Sequence, residues 1–491
     1  MNFSELISKS SENYSDFHGE DFKVSGLAYD SRKVKPGFVF FAIKGLKDDG
    51  SRYIDDALKR GASAVLSEAS SDMNSDARLI AASNVRRAMS SMSGVFYGNP
   101  SSRIGLIGIT GTNGKTTTAC LTRSIFEYAG MPCGLIGTIN YEYGSVKGGA
   151  TLTTPDSVEL NMLLAKMAES GMKYCAMEVS SIALVMERVY GLKFCTALFT
   201  NLTSEHLDFH GDMEEYFKAK KILFDGLEKN SCAISNTDDE YGRLILESTN
   251  AKTFFYSVEN MSDLKPENVN ISVTGINFDV SFNGNKQRIS SGLTGRFNVY
   301  NILASVSIAL NNGIDLKTIS EAVKNFEGVR GRFNRIDLPN GAAAVVDYSH
   351  TSDSLRNAIE AARDLVELEK KNGRVITIFG CGGNKDRTKR PVMGRFAVKL
   401  SDHAIITSDN PRYEDPYLII DEIVSGTNGN KNFEIIEDRE QAIRKGIEIS
   451  RNGDIVLICG KGHEDYQEIK GIKKHFDDIE MVSKYSELAA R

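Results

Sequence analysis

Strand-like and helix-like segments alternate along the whole chain, the pattern of α/β layers. A first block, residues 1–83, carries short strand candidates at 24–31 (VSGLAYDS), 37–45 (GFVFFAIKG) and 64–68 (AVLSE), with a helical stretch around 51–60. A second block, 84–332, opens with a predicted helix at 84–98 and a Pro100-Ser-Ser turn. A fully apolar strand follows at 104–110 (IGLIGIT), with further buried-strand candidates at 174–181 (YCAMEVSS) and 195–206 (CTALFTNLTSEH). Residues 250–291 alternate polar and apolar positions and predict antiparallel strands appended to this core. A third block, 333–491, restarts the pattern. Its strands at 342–350, 375–383, 403–411 and 454–464 each run out into glycine or polar residues, and helices such as 354–371 separate them. The expected architecture is three α/β domains: a small N-terminal one, a central one with a parallel sheet plus antiparallel strands, and a C-terminal Rossmann-like one.

Open parallel sheets bind ligands outside the carboxyl ends of their strands. Nearly every unusual polar cluster of the second and third blocks lies at such an end, so two α/β domains are expected to face one active site.

Composition narrows the field. The chain has 491 residues, 41% hydrophobic and 25% charged, close to the globular average. Its 59 basic and 65 acidic residues give a net charge of −6, which argues against a nucleic-acid binder. The N-terminus has no apolar signal-like region and no long apolar run occurs, so the expected location is cytoplasmic, without membrane insertion. Seven cysteines fall in no metal-binding spacing and read as small buried hydrophobes in a reducing compartment.

The sharpest local signal is Gly111-Thr112-Asn113-Gly114-Lys115-Thr116-Thr117 between the apolar strand and a helix. Glycines let backbone N–H groups converge on phosphate oxygens, and a helix N-terminus adds partial positive charge. Lys115 is placed to reach the outer phosphates, and the Thr116 hydroxyl to ligate Mg²⁺. The strict pattern has glycine where Ile109 stands. The loop predicts ATP or GTP; hydrolysis, phosphoryl transfer and carboxylate activation all fit it.

Together with this loop, a series of motifs resembles the Mur ligase family, in the family's order over essentially the whole chain. They are Thr153-Thr154-Pro155, Glu178-Val179-Ser180-Ser181, Thr200-Asn201-Leu202-Thr203 with His206 and His210, YFKAK at 216–220, Gly295-Arg296-Phe297-Asn298 with Asn301, Gly331-Arg332-Phe333, Asp347-Tyr348-Ser349-His350 and Gly460-Lys461-Gly462-His463-Glu464. Within the family the segment Asp409-Asn410-Pro411-Arg412 is similar to the branch that adds the third amino acid of the peptidoglycan precursor. The resemblance implies an ATP- and Mg²⁺-dependent ligase, acting as a monomer. It would join meso-2,6-diaminopimelate to UDP-N-acetylmuramoyl-L-alanyl-D-glutamate through an acyl phosphate, in cell-wall synthesis.

By the same resemblance, Lys115, Glu178, His206, Lys220 and Arg332 are catalytic. Thr116, Glu178, His206 and Lys220 are metal ligands, the lysine as a carbamate. A lysine that takes up CO₂ needs a neutral amine; read alone, Lys220 sits in the run KAKK, 218–221, of the kind that faces solvent. Arg332, Asp347 and Asn298 are implied nucleotide contacts. Arg412 is implied to hold the distal carboxylate of the amino acid, with Asp409, Asn410, Pro411, Arg390 and Gly460, and Glu464 to face the distal ammonium. Ser31 and the loop at 45–48 are implied in the uridine-nucleotide pocket, and Thr153, Thr154, Ser180 and Arg188 at the muramoyl-peptide.

Three positions depart from the family: Ile182 where it has histidine after EVSS, Met186 where it has glutamine, and Ser352 where it has proline. The alternatives are the same ligase using L-lysine or meso-lanthionine, a folylpolyglutamate-type relative, and a nucleotide-binding homologue without chemistry. The first block and the DNPR segment argue against folate. Joint retention of Glu178, His206, Lys220 and Arg332 argues against lost chemistry.

Overall fold

The computed structural model describes residues 1–15, 17–45, 48–68, 78–369 and 371–487; of the expected loop at 45–48, residues 46 and 47 lie outside these. The first sheet has four parallel strands in chain order: Gly26–Ala28, Phe38–Phe41, Ala62–Ser67 and Leu79–Ala81. Successive side chains alternate faces. Val39 and Phe41 therefore join Leu6 and Met92 in one core, and Phe40 joins Val34 and Ala57 in another.

The helix Val85–Phe96 corrects the expected division after residue 83. Val85, Ala88, Met89, Met92 and Val95 form one apolar stripe, and that stripe completes the first core rather than the second. The chain leaves this unit through Asn99, at φ +48°, and the 3₁₀ turn Pro100–Ser102.

The central sheet has eight strands in the order Lys252–Tyr256, Cys232–Asn236, Phe194–Phe199, Gly105–Thr110, Tyr174–Glu178, Cys133–Ile136, Asn140–Tyr143, Val146–Gly149. The first six are parallel and the last two antiparallel. Lys252–Tyr256, expected among the antiparallel strands, extends the parallel sheet; only Pro266–Ser272, Gly275–Phe282 and Asn285–Ser291 form the separate antiparallel sheet. After Gly105–Thr110 the chain builds one side of the sheet, then crosses to the other with Phe194–Phe199. That reversal opens a crevice at the end of Gly105–Thr110, where the glycine-rich loop lies.

The third sheet runs Asn334–Asp337, Ala343–Asp347, Ile455–Cys459, Val375–Phe379, His403–Ile406, Phe433–Ile435, with only the first antiparallel. Ile455, Leu457 and Cys459 pack on one face and Val456 and Ile458 on the other. Phe333 enters this core edge-on to Phe297 of the central unit, centroids 5.4 Å apart. Among the described residues no helix is long and apolar enough to cross a membrane.

Candidate active site

The carboxyl ends of the central and third sheets face each other across a cleft of about 1270 Å³. The loop after Gly105–Thr110 forms its floor. Gly111 (φ +145°) and Gly114 (φ +87°) are in the region that favours glycine. A side chain on Gly111 would overlap Thr200 Oγ1, and one on Gly114 would meet Asn301 Oδ1. The N–H groups of Thr112 and Asn113 donate to Asn201, at 2.8 and 2.9 Å, which fixes the loop's curl. Thr116 and Thr117 line the cleft from the first turn of the helix Lys115–Tyr128. Lys115 Nζ lies over the loop, donating to the carbonyls of Gly111 and Thr112 at 2.9 and 2.7 Å. Burial lowers its pKa, and Glu205 and Glu178 oppose that shift.

Glu178 ends its strand beside this helix. Its carboxylate, 1% exposed, accepts from the Thr138 backbone (2.8 Å), the Thr138 hydroxyl (3.0 Å) and the Thr116 hydroxyl (3.1 Å). Arg332 reaches the same hydroxyl, Nη2 donating to Thr116 Oγ1 at 2.9 Å. Its guanidinium lies 4.6 Å above the Tyr348 ring, and its Nε is buried without a partner. Thr138 lies just past the strand Cys133–Ile136. The strand-end rule applied to that strand is the signal that would have found it.

His206 lines the cleft at φ +57°, N-terminal to the turn Leu207–His210. Glu205 sits between two imidazoles, 3.7 Å from His206 Nε2 and 3.5 Å from His350 Nε2 of the third domain. Burial would raise its pKa, but His350, His206 and Lys115 outweigh that and hold the carboxylate ionised. Lys220 is not a solvated lysine. It is 1% exposed, donates to the Gly111 carbonyl at 2.9 Å and lies 4.4 Å from the Tyr216 ring centre. Burial, and then Lys115, drive its pKa well below the ordinary value, against Glu205. Tyr216 also stacks on His210 and contacts Thr112 Oγ1 at 3.2 Å.

The third domain supplies the opposite wall. Asp409, Asn410, Arg412, Gly460 and Glu464 all line the cleft. Asn410 Nδ2 donates to Glu464 Oε2 at 2.8 Å, and Pro411 leads into Arg412 at φ +53°. Arg412 Nη1 donates to the Gly383 carbonyl at 2.9 Å, and its Nε lies 3.5 Å from Glu468. Burial and Asp409 raise the Glu464 pKa. Asn113 Nδ2 donates to Asp353 Oδ2 at 3.0 Å, tying the phosphate loop to this domain.

Three sequence-based expectations change. Arg390 is fully buried outside the cleft: its guanidinium bonds Glu414 at 2.9 and 3.0 Å, Glu422 at 2.8 Å and the Gly382 carbonyl, so it braces the segment carrying Arg412. Asn298 is buried behind Asn301, donating to the Thr294 carbonyl and accepting from Asn301 Nδ2, and it is Asn301 that faces the loop. Asp347 lines the cleft, but its carboxylate accepts from the Phe333 and Ser349 backbones and the Ser349 hydroxyl, so it is committed to the domain junction.

On the central domain's other flank, Thr154 Oγ1 donates to the Glu178 carbonyl, and the Thr153 and Thr138 hydroxyls lie 3.2 Å apart. Ser180 caps the helix Ser181–Val185. Arg188 donates to the Thr154 carbonyl and pairs with Asp156 at 2.9 Å. Thr153, Ser180 and Ile182 line the cleft; Met186 ends that helix. Ser31 begins a 3₁₀ turn capped by Asp30 in the first domain, and no described residue of that domain lines the cleft.

Among the described residues, no three His, Cys, Asp or Glu side chains converge as a metal cage. What the site offers is hard oxygen: the Thr116 hydroxyl beside the Glu178 carboxylate at a helix N-terminus. That suits Mg²⁺, which keeps waters and is held by one or two protein oxygens plus substrate phosphates.

Family models match three stretches: "Mur ligase family, catalytic domain" over 23–95, "Mur ligase middle domain" over 109–309, and "Mur ligase, glutamate ligase domain" over 331–462. A UDP-N-acetylmuramoyl-L-alanyl-D-glutamate--2,6-diaminopimelate ligase of Clostridium tetani is 42% identical, over 95% of this chain and 96% of that protein. One of the same description from Solibacter usitatus is 45% identical, over 93% and 92%. A solved structure described by the same activity superposes with a TM-score of 0.67 at 31% identity, covering 95% of this chain and 96% of that one.

Proposed function

The chain belongs to the Mur ligase family, and from that premise we propose that it joins meso-2,6-diaminopimelate to UDP-N-acetylmuramoyl-L-alanyl-D-glutamate, with ATP cleaved to ADP and phosphate. A carboxylate oxygen of the UDP-linked peptide attacks the γ-phosphorus, and ADP leaves. The amine nitrogen of the amino acid then attacks the acyl-phosphate carbonyl, loses a proton, and inorganic phosphate departs. The observation that carries this reading is one cleft. It joins a phosphate loop, with Arg332 on Thr116, to an opposite wall presenting Arg412, Asp409 and Glu464.

The residues divide the work. The loop 111–114 and the helix N-terminus take the β- and γ-phosphates. Lys115, released from the loop carbonyls, follows the γ-phosphate. Arg332 stabilises negative charge as it develops on the transferring group. Thr116 and Glu178 would hold Mg²⁺, with His206 and a Lys220 carbamate at a second ion. When bound, the metal neutralises phosphate charge and so lets a carboxylate approach. The suppressed basicity of Lys220 supports the carbamate, because the neutral amine is the form that adds CO₂. Thr153, Thr154, Ser180 and Arg188 are assigned to the peptide, and Ser31 to the uridine nucleotide. Arg412 takes the distal carboxylate of the amino acid by charge-assisted hydrogen bonds. The protein is proposed to work in the cytoplasm as a monomer; the net charge of −6 supports the absence of a nucleic-acid partner.

The test is phosphate release with ATP, Mg²⁺ and UDP-N-acetylmuramoyl-L-alanyl-D-glutamate, offered meso-diaminopimelate, L-lysine or meso-lanthionine separately. Release and a product mass gain with diaminopimelate alone are expected. Turnover with lysine or lanthionine instead would keep the ligase and reject the acceptor.

A further inference from the structure

Lys461 is a fully buried lysine whose charge the steps above do not use. It lies on the loop after the strand Ile455–Cys459, directly behind the wall of the cleft. Its Nζ donates to Asn410 Oδ1 at 3.1 Å and lies 3.5 Å from Glu464 Oε2 and 3.9 Å from Asp409 Oδ1. The ring of Tyr466 covers its other side, centroid 5.6 Å away. Burying an ammonium is costly unless it is paired and hydrogen-bonded, so this lysine holds its place through these three partners.

Two consequences follow. Asn410 Oδ1 accepts from both Lys461 Nζ and the Glu468 backbone, which fixes the amide with Nδ2 on the side of Glu464, to which it donates. The charge balance is also set. Asp409 and Glu464 are two carboxylates on one wall, and Lys461 offsets one of them.

We propose that Lys461 is a specificity-determining positioning residue: its ammonium orients Asn410 and Glu464 and leaves this end of the pocket with a single net negative charge, matched to one ammonium at the distal end of the acceptor. Arg412 then meets the neighbouring carboxylate, so the pair reads a distal zwitterion. This rests on the ligase reading above. It adds a cause for acceptor choice that lies behind the groups touching substrate.

The test compares the intact enzyme with Lys461→Met, Lys461→Arg, Glu464→Gln and the Lys461→Met/Glu464→Gln double variant. Acceptors are meso-diaminopimelate and 2-aminopimelate, which lacks only the distal ammonium. Lys461→Met is expected to raise KM for diaminopimelate about tenfold or more, the scale of one charged contact, with kcat within about twofold. Its KM for 2-aminopimelate should change less than about threefold, so the preference collapses. Lys461→Arg should retain most of that preference. In the Glu464→Gln background, loss of Lys461 should cost little, the mark of two groups acting as a unit. An unchanged preference in Lys461→Met, or an equal loss on both acceptors with kcat falling alongside, would overturn the proposal. If Lys461→Met does not melt cooperatively, Lys461→Gln, which removes the charge and keeps an N–H donor on a shorter side chain, carries the same expectation. A wild type silent with both acceptors would instead reject the ligase reading.

Discussion

Arg332 donates to the Thr116 hydroxyl across 2.9 Å, linking the last residues of the central domain to the first turn of the phosphate-loop helix. Its guanidinium lies over the ring of Tyr348 of the third domain, 4.6 Å from the centroid, so a shift of either domain moves the cation relative to the phosphate site. A planar fork held this way is not replaceable by a point charge. Arg332→Lys is therefore expected to lower kcat by about 10²-fold or more, the usual scale for removing a preorganised donor. The Tm should barely change. Steady-state phosphate release at saturating substrates, paired with calorimetry, checks this; a kcat within a few fold of wild type would remove Arg332 from the transition state.

Lys220 carries the opposite balance between stability and function. Burial lowers its pKa in the folded protein, so near neutral pH the unfolded chain holds a proton that the folded chain resists. The unfolded state binds more protons between the depressed folded value and the ordinary one, so this residue's contribution to stability improves as pH rises and is unfavourable at pH 7. Lys220→Met should abolish turnover. In CO₂-free buffer at pH 7 it should raise Tm by roughly 2–4 °C per kcal/mol relieved, and the gain should shrink toward pH 10. Calorimetry suits a chain without tryptophan. A lower Tm at pH 7 would mean that the amine is held charged and satisfied.

What was legible in the sequence was local. Strand, glycine turn and Lys-Thr at a helix start sit within about ten residues, and strand ends announce themselves by the switch from apolar to polar. Glu178 is legible as part of a family motif that closes a strand, and Thr138, two residues past the strand Cys133–Ile136, is open to the strand-end rule; Glu205 lies six residues past Phe199, and its partner His350 comes from the third domain. The burial of Arg390 was not legible, since its carboxylates lie 24 and 32 residues away on a different segment. Asn298 and Asn301 are nearly one turn apart, and only the packing of their helix decides which faces the loop. The helix Val85–Phe96 is legible as a helix, but the core it joins is not. Its stripe says that it packs, not on what.

Arg390 gives a direct test of bracing against substrate contact. Arg390→Ala leaves Glu414 without its counter-charge and Glu422 with Arg387 alone, at a cost toward the lower end of ~3–5 kcal/mol because both carboxylates reach solvent in part. The expected result is a lower Tm together with a raised KM for the amino acid, as the segment carrying Arg412 loosens, and an unchanged KM for ATP. A raised KM with an unaltered Tm would restore Arg390 to the pocket itself.

Gly331 is a point of close backbone approach in the domain junction. At φ +71° a side chain there would overlap the backbone of Gly462 and His463. Gly331→Ala combines left-handed strain of about 1–3 kcal/mol with a steric push between the loop that carries Arg332 and the loop that carries Glu464. A kcat loss of about tenfold or more is expected, since each 1.36 kcal/mol of lost transition-state stabilisation is tenfold in rate. Full activity in Gly331→Ala would show that the two loops need not touch.

On the proposed assignment, Arg412 reads the distal end of the acceptor. It adopts φ +53°, unusual for a non-glycine residue, and the rigid Asn410-Pro411 approach and its bonds to Gly383 and Glu468 hold it there. An acceptor with a distal carboxylate gains a charge-assisted pair; L-lysine, which lacks that carboxylate, gains nothing. Truncating one partner of such a pair costs about 2 kcal/mol or more, roughly thirtyfold in KM. Arg412→Ala should therefore raise KM for meso-diaminopimelate by at least that factor while leaving any slow turnover of lysine unchanged. Arg412→Lys should fall between, because a point charge keeps the attraction and loses the two-pronged fit. Competition between the two amino acids at fixed ATP, read by product mass, gives the ratio directly. If both acceptors suffer equally in Arg412→Ala, the arginine supports the loop rather than selecting the substrate, and the discrimination must then come from Asp409, Asn410 and Glu464 alone.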